Sequence, residues 1–329
     1  MKRIGVVALG SMGLCHSQQW SQMPGAELVA VADIRPDHAA EVAKKHSCKS
    51  FGSLEDMLNG IELDVVDVCV PTPWHKELTL LAASAGKDIV CEKPMARSVD
   101  DCLAMIEGCE KAGVRLFIAH VLRFFYEFKK AKELIDSGAI GKPCIARTCR
   151  GGRFPRAWND WFANMEWSGG VVLDTTIHDF DWLRWCFGDV ERVYAKGLYK
   201  AGLDHLDYGL VTLRFKSGVI SHTEATWARQ GMFLTHYDIA GDAGLLTHNS
   251  QISTPLRVDI KETTEGKVGV QVPASPVPVN PYYLELEHFL HCLETGKPFS
   301  ITPMDALKAV EIGVSALKSI ETGKPVTLA

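Results

Sequence analysis

Over its first 119 residues the chain alternates short, nearly continuous apolar runs with longer amphipathic stretches. The runs "RIGVVAL", "ELVAVAD", "DVVDVCV", "DIVCE" and "RLFIA" are rich in β-branched residues and short enough to be strands buried on both faces. Helical periodicity fills the stretches near 12 to 22, 36 to 46, 75 to 85 and 98 to 112. Strands alternating with helices predict an α/β fold, a doubly wound parallel sheet that takes ligands at the carboxyl ends of its strands.

Beyond residue 120 the pattern changes. Helical stretches near 127 to 137 and 170 to 187 lead into "ERVYAKGLY", "DYGLVTLRF", "VISHTEATW", "HYDIAG", "LRVDI" and "VGVQV", with turn signals between them. Consecutive strands joined by short turns predict a mainly antiparallel, open sheet. Two helices, near 281 to 295 and 303 to 321, close the chain, the second stopped by Gly323 and Pro325. The expected organisation is a doubly wound α/β domain over 1–119 and an α+β domain over 120–329.

One segment departs from its surroundings. "LDTTIHDFD" carries three aspartates and a histidine between "GGVV" and "WLRWCF". On a helix turning about 100° per residue, Asp174, His178 and Asp181 share an arc of about 60°. Charge on a greasy helix is costly unless it is paired or used. Asp179 points elsewhere and has no evident role beyond pairing with a distant base.

Composition narrows the class. The chain has 329 residues, 47% hydrophobic and 23% charged, with a net charge of −5 and no long run of one sign. Nothing in it suggests a nucleic-acid surface or a membrane patch, so a small-molecule partner is expected. No segment reaches the roughly 18 apolar residues of a membrane span. The start "MKRIGVVALG" has the basic and apolar beginning of a signal peptide, but the glycines that follow fit a first strand instead. Ten cysteines without a CxxC pair read as buried free thiols in a reducing, cytoplasmic setting.

The first strand runs into "ALGSMG", a G-x-G-x-x-G turn with Ala8 in the first place. Gly10 lets backbone approach a pyrophosphate, Gly13 lets helix pack on strand, and the helix N-terminus holds the phosphate charge. Alanine is tolerable at position 8 provided its φ is negative. Asp33 ends the second strand about 20 residues on, where a ribose-binding acid belongs. An acid there favours NAD over NADP, although Arg35 is close enough to reach a 2′-phosphate. "VPTPWH" ends the fourth strand rigidly, and "CEKP" places Glu92 and Lys93 at the carboxyl end of the fifth. "RFPRAWNDWFANMEW" suits either a sugar, whose ring faces stack on tryptophans such as Trp158 and Trp161, or an aromatic packing cluster. His120 and Arg123 follow the last Rossmann strand and are candidates for substrate or cofactor.

"EKP" at a strand end, the glycine turn, "HVLRFFYEFKKAKELIDSGAIGKP", "GGVVLDTTIHDFD" and the closing "ETGKPVTL" together resemble the glucose-fructose oxidoreductase and inositol dehydrogenase (Gfo/Idh/MocA) family over nearly the whole chain. The resemblance implies a Rossmann domain plus a C-terminal domain whose sheet serves as an interface in a homodimer or homotetramer. It also implies catalysis by Lys93, Asp174 and His178, with His178 the acid/base. Coenzyme contacts are implied at Gly10, Ser11, Met12, Gly13, Asp33, Ile34, Arg35, Thr72, Pro73, His75, Glu92 and Lys93. Trp74 replaces the family's usual asparagine, and Tyr126 stands where many members have proline.

The chemistry asks for the same residue types. Oxidising a secondary alcohol needs a base for the hydroxyl proton while hydride leaves carbon. Histidine supplies the base, lysine stabilises the alkoxide, and an aspartate one turn away orients ring or substrate. The reading is a dehydrogenase of a sugar, sugar derivative or inositol-like polyol that uses NAD, with NADP as the alternative coenzyme, and no metal. Two other classes remain: a non-catalytic dinucleotide-binding redox sensor, and a metal-dependent lyase or hydrolase using Asp174, His178 and Asp181.

Overall fold

The computed structural model describes residues 1–198, 207–252 and 279–328. The expected strands "LRVDI" and "VGVQV" lie outside the described residues, as does the last residue of "ERVYAKGLY". The chain divides into two compact units. Among the described residues, the first comprises 1–124 and 279–307, and the second the described parts of 125–252 together with 308–328.

In the first unit, strands β1 (Lys2–Val7), β2 (Ala26–Ala32), β3 (Lys49–Phe51), β4 (Val65–Val68), β5 (Asp88–Glu92) and β6 (Leu116–Ala119) form one parallel sheet of order β3-β2-β1-β4-β5-β6. The order reverses between β1 and β4, the switch point at which such sheets open a ligand crevice. Helices α1 (Ser11–Trp20), α2 (Pro36–His46), α3 (Leu54–Gly60), α4 (His75–Ser84) and α5 (Val99–Ala112) connect them. Local chemistry sets the ends of α5: the Ser98 side chain accepts from Asp101 N–H, and Gly113 takes φ +69° just past the last turn.

The second unit holds α6 (Tyr126–Asp136), β7 (Pro143–Gly151), α7 (Met165–Ser168), α8 (Gly170–Asp174), α9 (Ile177–Phe187), β8 (Val190–Leu198), β9 (Tyr208–Phe215), β10 (Ile220–Thr226), β11 (Leu234–Gly241) and β12 (Leu245–Asn249). The seven-stranded sheet β12-β11-β7-β10-β9-β8-β13 includes β13 (Val326–Thr327). It is antiparallel throughout except where β10 pairs with β7. One of its faces is packed: a Cβ on Gly209 would lie 2.4 Å from Val172 Cγ2, so α8 rests directly on β9.

Two expectations need correction. The division at residue 119 fails because α10 (Pro281–Thr295) belongs to the first unit. Its residues Leu286, Phe289 and Leu290 join the core of Ile4, Val6, Val31 and Trp20. The helix expected over 170–187 is interrupted at Thr175 and Thr176, which separate α8 from α9. The last long helix, α11 (Pro303–Thr322), follows its expected span.

Candidate active site

In the first unit, β1 feeds the glycine turn. Gly10 is the N-cap of α1 with φ −72° and ψ −167°, and a Cβ there would meet nothing within 4 Å. Gly13 has no such room: its Cβ would sit 1.8 Å from the Ala8 carbonyl oxygen, so only glycine lets helix and turn approach this closely. Open space over Gly10 and close packing at Gly13 together make the cradle that a dinucleotide pyrophosphate needs, so these residues fit the coenzyme. Ser11 and Met12, half-buried, begin α1. Ala8 departs from expectation. Its φ is +67°, a left-handed conformation that costs an L-residue roughly 1–2 kcal/mol.

Asp33 is buried at the end of β2, and its carboxylate is already engaged. Oδ2 accepts from Leu9 N–H at 2.7 Å and Arg35 Nη2 at 2.9 Å; Oδ1 accepts from Arg35 N–H at 2.9 Å and Arg35 Nε at 2.8 Å. Burial works against the ionised form, but Arg35 and the Leu9 amide outweigh it and lower the Asp33 pKa. Ile34 beside it is exposed.

At the next strand ends, Thr72 and Pro73 form a short 3₁₀ turn with Trp74, and Thr72 is buried. His75 is turned inward: Nδ1 lies 2.8 Å from Pro94 O and Nε2 lies 2.9 Å from Val70 O. Both ring nitrogens thus face backbone carbonyls, one at the β4 exit and one in the "EKP" turn, and the neutral ring donates to one of them, so neither nitrogen is turned toward a coenzyme. Burial is the main influence on its pKa and lowers it, with the two carbonyls opposing. Glu92 is buried and accepts the Lys93 backbone N–H at 3.0 Å, while Lys93 itself is half-buried. His120 is fully buried. Arg123 sits in an internal clamp, donating to Ser300 O at 2.9 Å with Asp305 Oδ2 at 3.9 Å, instead of lying open to a substrate.

In the second unit, Asp174 ends α8 and His178 lies in the first turn of α9. Asp174 is buried and His178 half-buried. Trp227 Nε1 donates to Thr175 Oγ1 at 2.8 Å, and that hydroxyl donates to Asp174 Oδ2 at 3.3 Å. The donor from Trp227 turns the hydroxyl proton toward the carboxylate. Asp181 is buried on the same helix. Asp179 is explained: Arg150 of β7 holds it with Nε at 2.7 Å from Oδ2, both side chains 2% exposed.

The tryptophan segment divides between the two expected roles. Phe154 and Phe162 pack edge-on against Trp227, and Trp161 stacks on Phe162 with ring centroids 3.9 Å apart. Trp158 instead is 41% exposed and precedes Asn159 and Asp160, both at positive φ. Consecutive left-handed non-glycine residues store strain, a feature that clusters at ligand-binding segments.

Sequence reasoning missed Thr175, Trp227 and a buried group of His16, Asp67 and Cys69. The one available signal for the last was His16 four residues before Trp20, a polar residue on the inner face of an otherwise packed helix.

An oxidoreductase-family model with an NAD-binding Rossmann fold matches residues 2–120, and a GFO/IDH/MocA C-terminal-domain model matches residues 128–247. The chain is 31% identical to a myo-inositol 2-dehydrogenase of Thermotoga maritima, over 99% of this chain and 98% of that protein. It is 29% identical to a 1,5-anhydro-D-fructose reductase of Ensifer adhaerens, over 91% and 90%. Among solved structures, a probable dehydrogenase from Thermotoga maritima matches with a TM-score of 0.84 at 30% identity, covering 99% and 98% of the two chains. GenD2 from gentamicin A biosynthesis, in complex with NAD, matches in fold with a TM-score of 0.87 at 23% identity, covering 100% and 96%.

Proposed function

The chain belongs to the Gfo/Idh/MocA family of NAD-binding oxidoreductases, and from that premise we propose that its substrate is an inositol-like polyol or a related sugar. It is an NAD(P)-dependent dehydrogenase acting on a CH–OH group. The bound coenzyme supplies the hydride acceptor or donor. This chain's own residues bind, orient and move the proton.

Gly10 and the first amides of α1 receive the pyrophosphate, with Ser11 and Met12 lining the turn, and Asp33 receives the ribose. His178 takes the hydroxyl proton during oxidation and returns it during reduction. Asp174, held by the Thr175 hydroxyl, orients its share of the site. Lys93 stabilises the alkoxide as charge develops. Trp158 offers an exposed ring face for a sugar. The observation that carries the reading is the Gly10–Gly13 cradle: one glycine leaves room above the turn and the other permits contact below it.

Two further assignments accompany this one. Leu210, Ile220, Tyr194 and Ile145 are exposed on the unpacked face of the large sheet, and a second copy of the chain would cover them. Ten free cysteines, four of them buried and five half-buried, suit a reducing cytoplasm. Among the described residues no helix is long and apolar enough to cross a membrane.

A screen of sugars and polyols with NAD and with NADP, read as absorbance of the reduced nicotinamide, tests the proposal. On a substrate so found, Lys93→Met or His178→Ala lowers kcat by about a hundred-fold or more, while NAD affinity stays within a few-fold. Wild-type turnover in either variant removes that residue from the chemistry.

A further inference from the structure

His16 lies on α1 one turn after Gly13, and the side chains of His16 and Asp67 have no exposure at all. Nδ1 of His16 is 2.9 Å from Asp67 Oδ2. Its Nε2 is 3.2 Å from Glu92 Oε1, an ion-pair distance without hydrogen-bond alignment. Trp20 Nε1 donates to Asp67 Oδ2 at 2.7 Å, and Cys69 Sγ donates to Asp67 Oδ1 at 3.3 Å. The other Glu92 oxygen, Oε2, holds the Lys93 amide. A continuous chain of charged groups thus runs from the interior to the backbone of the catalytic lysine.

Burying such a set costs several kcal/mol per ion, and a well-packed apolar trio at the same place costs nothing of the kind. Burial alone would strip the His16 proton; Asp67, by charge and hydrogen bond, with Cys69 beside it, raises the pKa well above its ordinary value. A metal ion does not account for the group. His16, Asp67 and Cys69 lie close enough to ligate one, but the Trp20 N–H already donates to the Asp67 oxygen that faces His16, Oδ2, at 2.7 Å.

We propose that His16 is a positioning residue: anchored by Asp67, it holds one oxygen of Glu92 so that the other fixes the Lys93 amide, which sets where Lys93 leaves β5. This rests on the role given to Lys93 above. It differs from that role in acting on the backbone of the turn, and so it is visible without substrate.

The test reads amide hydrogen exchange, melting temperature and turnover on His16→Gln and on the His16→Gln/Asp67→Asn pair of the full chain. In His16→Gln, Glu92 loses its counter-charge, and the peptide carrying Lys93 exchanges about ten-fold faster in the ligand-free protein. On a polyol substrate kcat falls about ten-fold with KM little changed, the mark of a displaced group rather than lost binding. Asp67 loses the same counter-charge, and adding Asp67→Asn removes that fully buried carboxylate and returns the melting temperature toward wild type, while fast exchange and low kcat persist. Wild-type exchange at Lys93 in either folded variant overturns the proposal, as does recovery of kcat together with the melting temperature in the pair. If no sugar or polyol supports turnover by the wild type, the proposed function falls while the exchange measurement still decides the role of His16.

Discussion

Asp33 illustrates how much one side chain decides. A carboxylate has about four lone-pair sites, and in this chain two amides and two guanidinium nitrogens occupy them. The backbone donors are fixed, so a ribose diol enters only where the Arg35 side chain leaves. That side chain is 45% exposed, and an ion pair so exposed is worth up to about 1 kcal/mol. Arg35→Ala is therefore expected to tighten NAD binding a few-fold and weaken NADP, moving the preference toward NAD by about ten-fold in titrations followed by fluorescence. An unchanged NAD to NADP ratio removes Arg35 from coenzyme selection. Asp33 and Arg35 were both legible as residues. Their pairing was not, because spacing does not state which of two neighbours a guanidinium chooses.

At the scale of elements, the break between α8 and α9 changes what the charged stripe means. Asp174 terminates one short helix while His178 opens the next, and Thr175 between them carries the hydrogen bond from Trp227. Asp179, one residue after His178, serves the fold by meeting Arg150 in a wholly buried pair. Removing one partner of such a pair strands the other. Asp179→Ala is expected to cost about 3–5 kcal/mol in denaturant unfolding, and Asp179→Ala/Arg150→Met to recover most of it. Equal loss in the single and double variants would show that packing rather than charge is at stake. The same pair explains why β7 escaped a reading by periodicity. Thr148 and Arg150 are buried on that strand while Ile145 is exposed, so its polar and apolar positions are the reverse of the usual alternation.

Each of the two units, taken as a whole, extends the argument. In the first, Leu286, Phe289 and Leu290 repeat at helical spacing and complete a core begun by residues near the amino end. In the second, exposed and buried rows alternate across the sheet: Tyr194, Thr212 and His222 are opposite one another in register, as are Ala195, Val211 and Thr223 on the packed side. The unpacked rows include Leu210 and Ile220, 40% and 37% exposed. These apolar side chains, exposed among polar neighbours such as Lys196, Thr212 and Glu224, are what the proposed second copy would cover. Leu210→Lys/Ile220→Lys is expected to lower the molecular mass in sedimentation to that of one chain, with the wild type at a dimer or above; a monomeric wild type, or an unchanged assembly in the variant, refutes the assignment.

Local pattern by itself determined the α/β alternation, the glycine turn and the acid at the end of β2, because each depends on residues close in the chain and on a fixed helical or strand period. Only the tertiary structure decided the left-handed Ala8, the inward turn of His75, the Arg150–Asp179 pair, the transfer of α10 to the first unit and the burial of His16 between Asp67 and Glu92. Apart from Ala8, these join residues from 19 to nearly 300 positions apart, and partner choice over such distances is settled by packing and desolvation. For Ala8 the reason is steric: the close approach of Gly13 to its carbonyl sets the backbone angle whatever residue stands there.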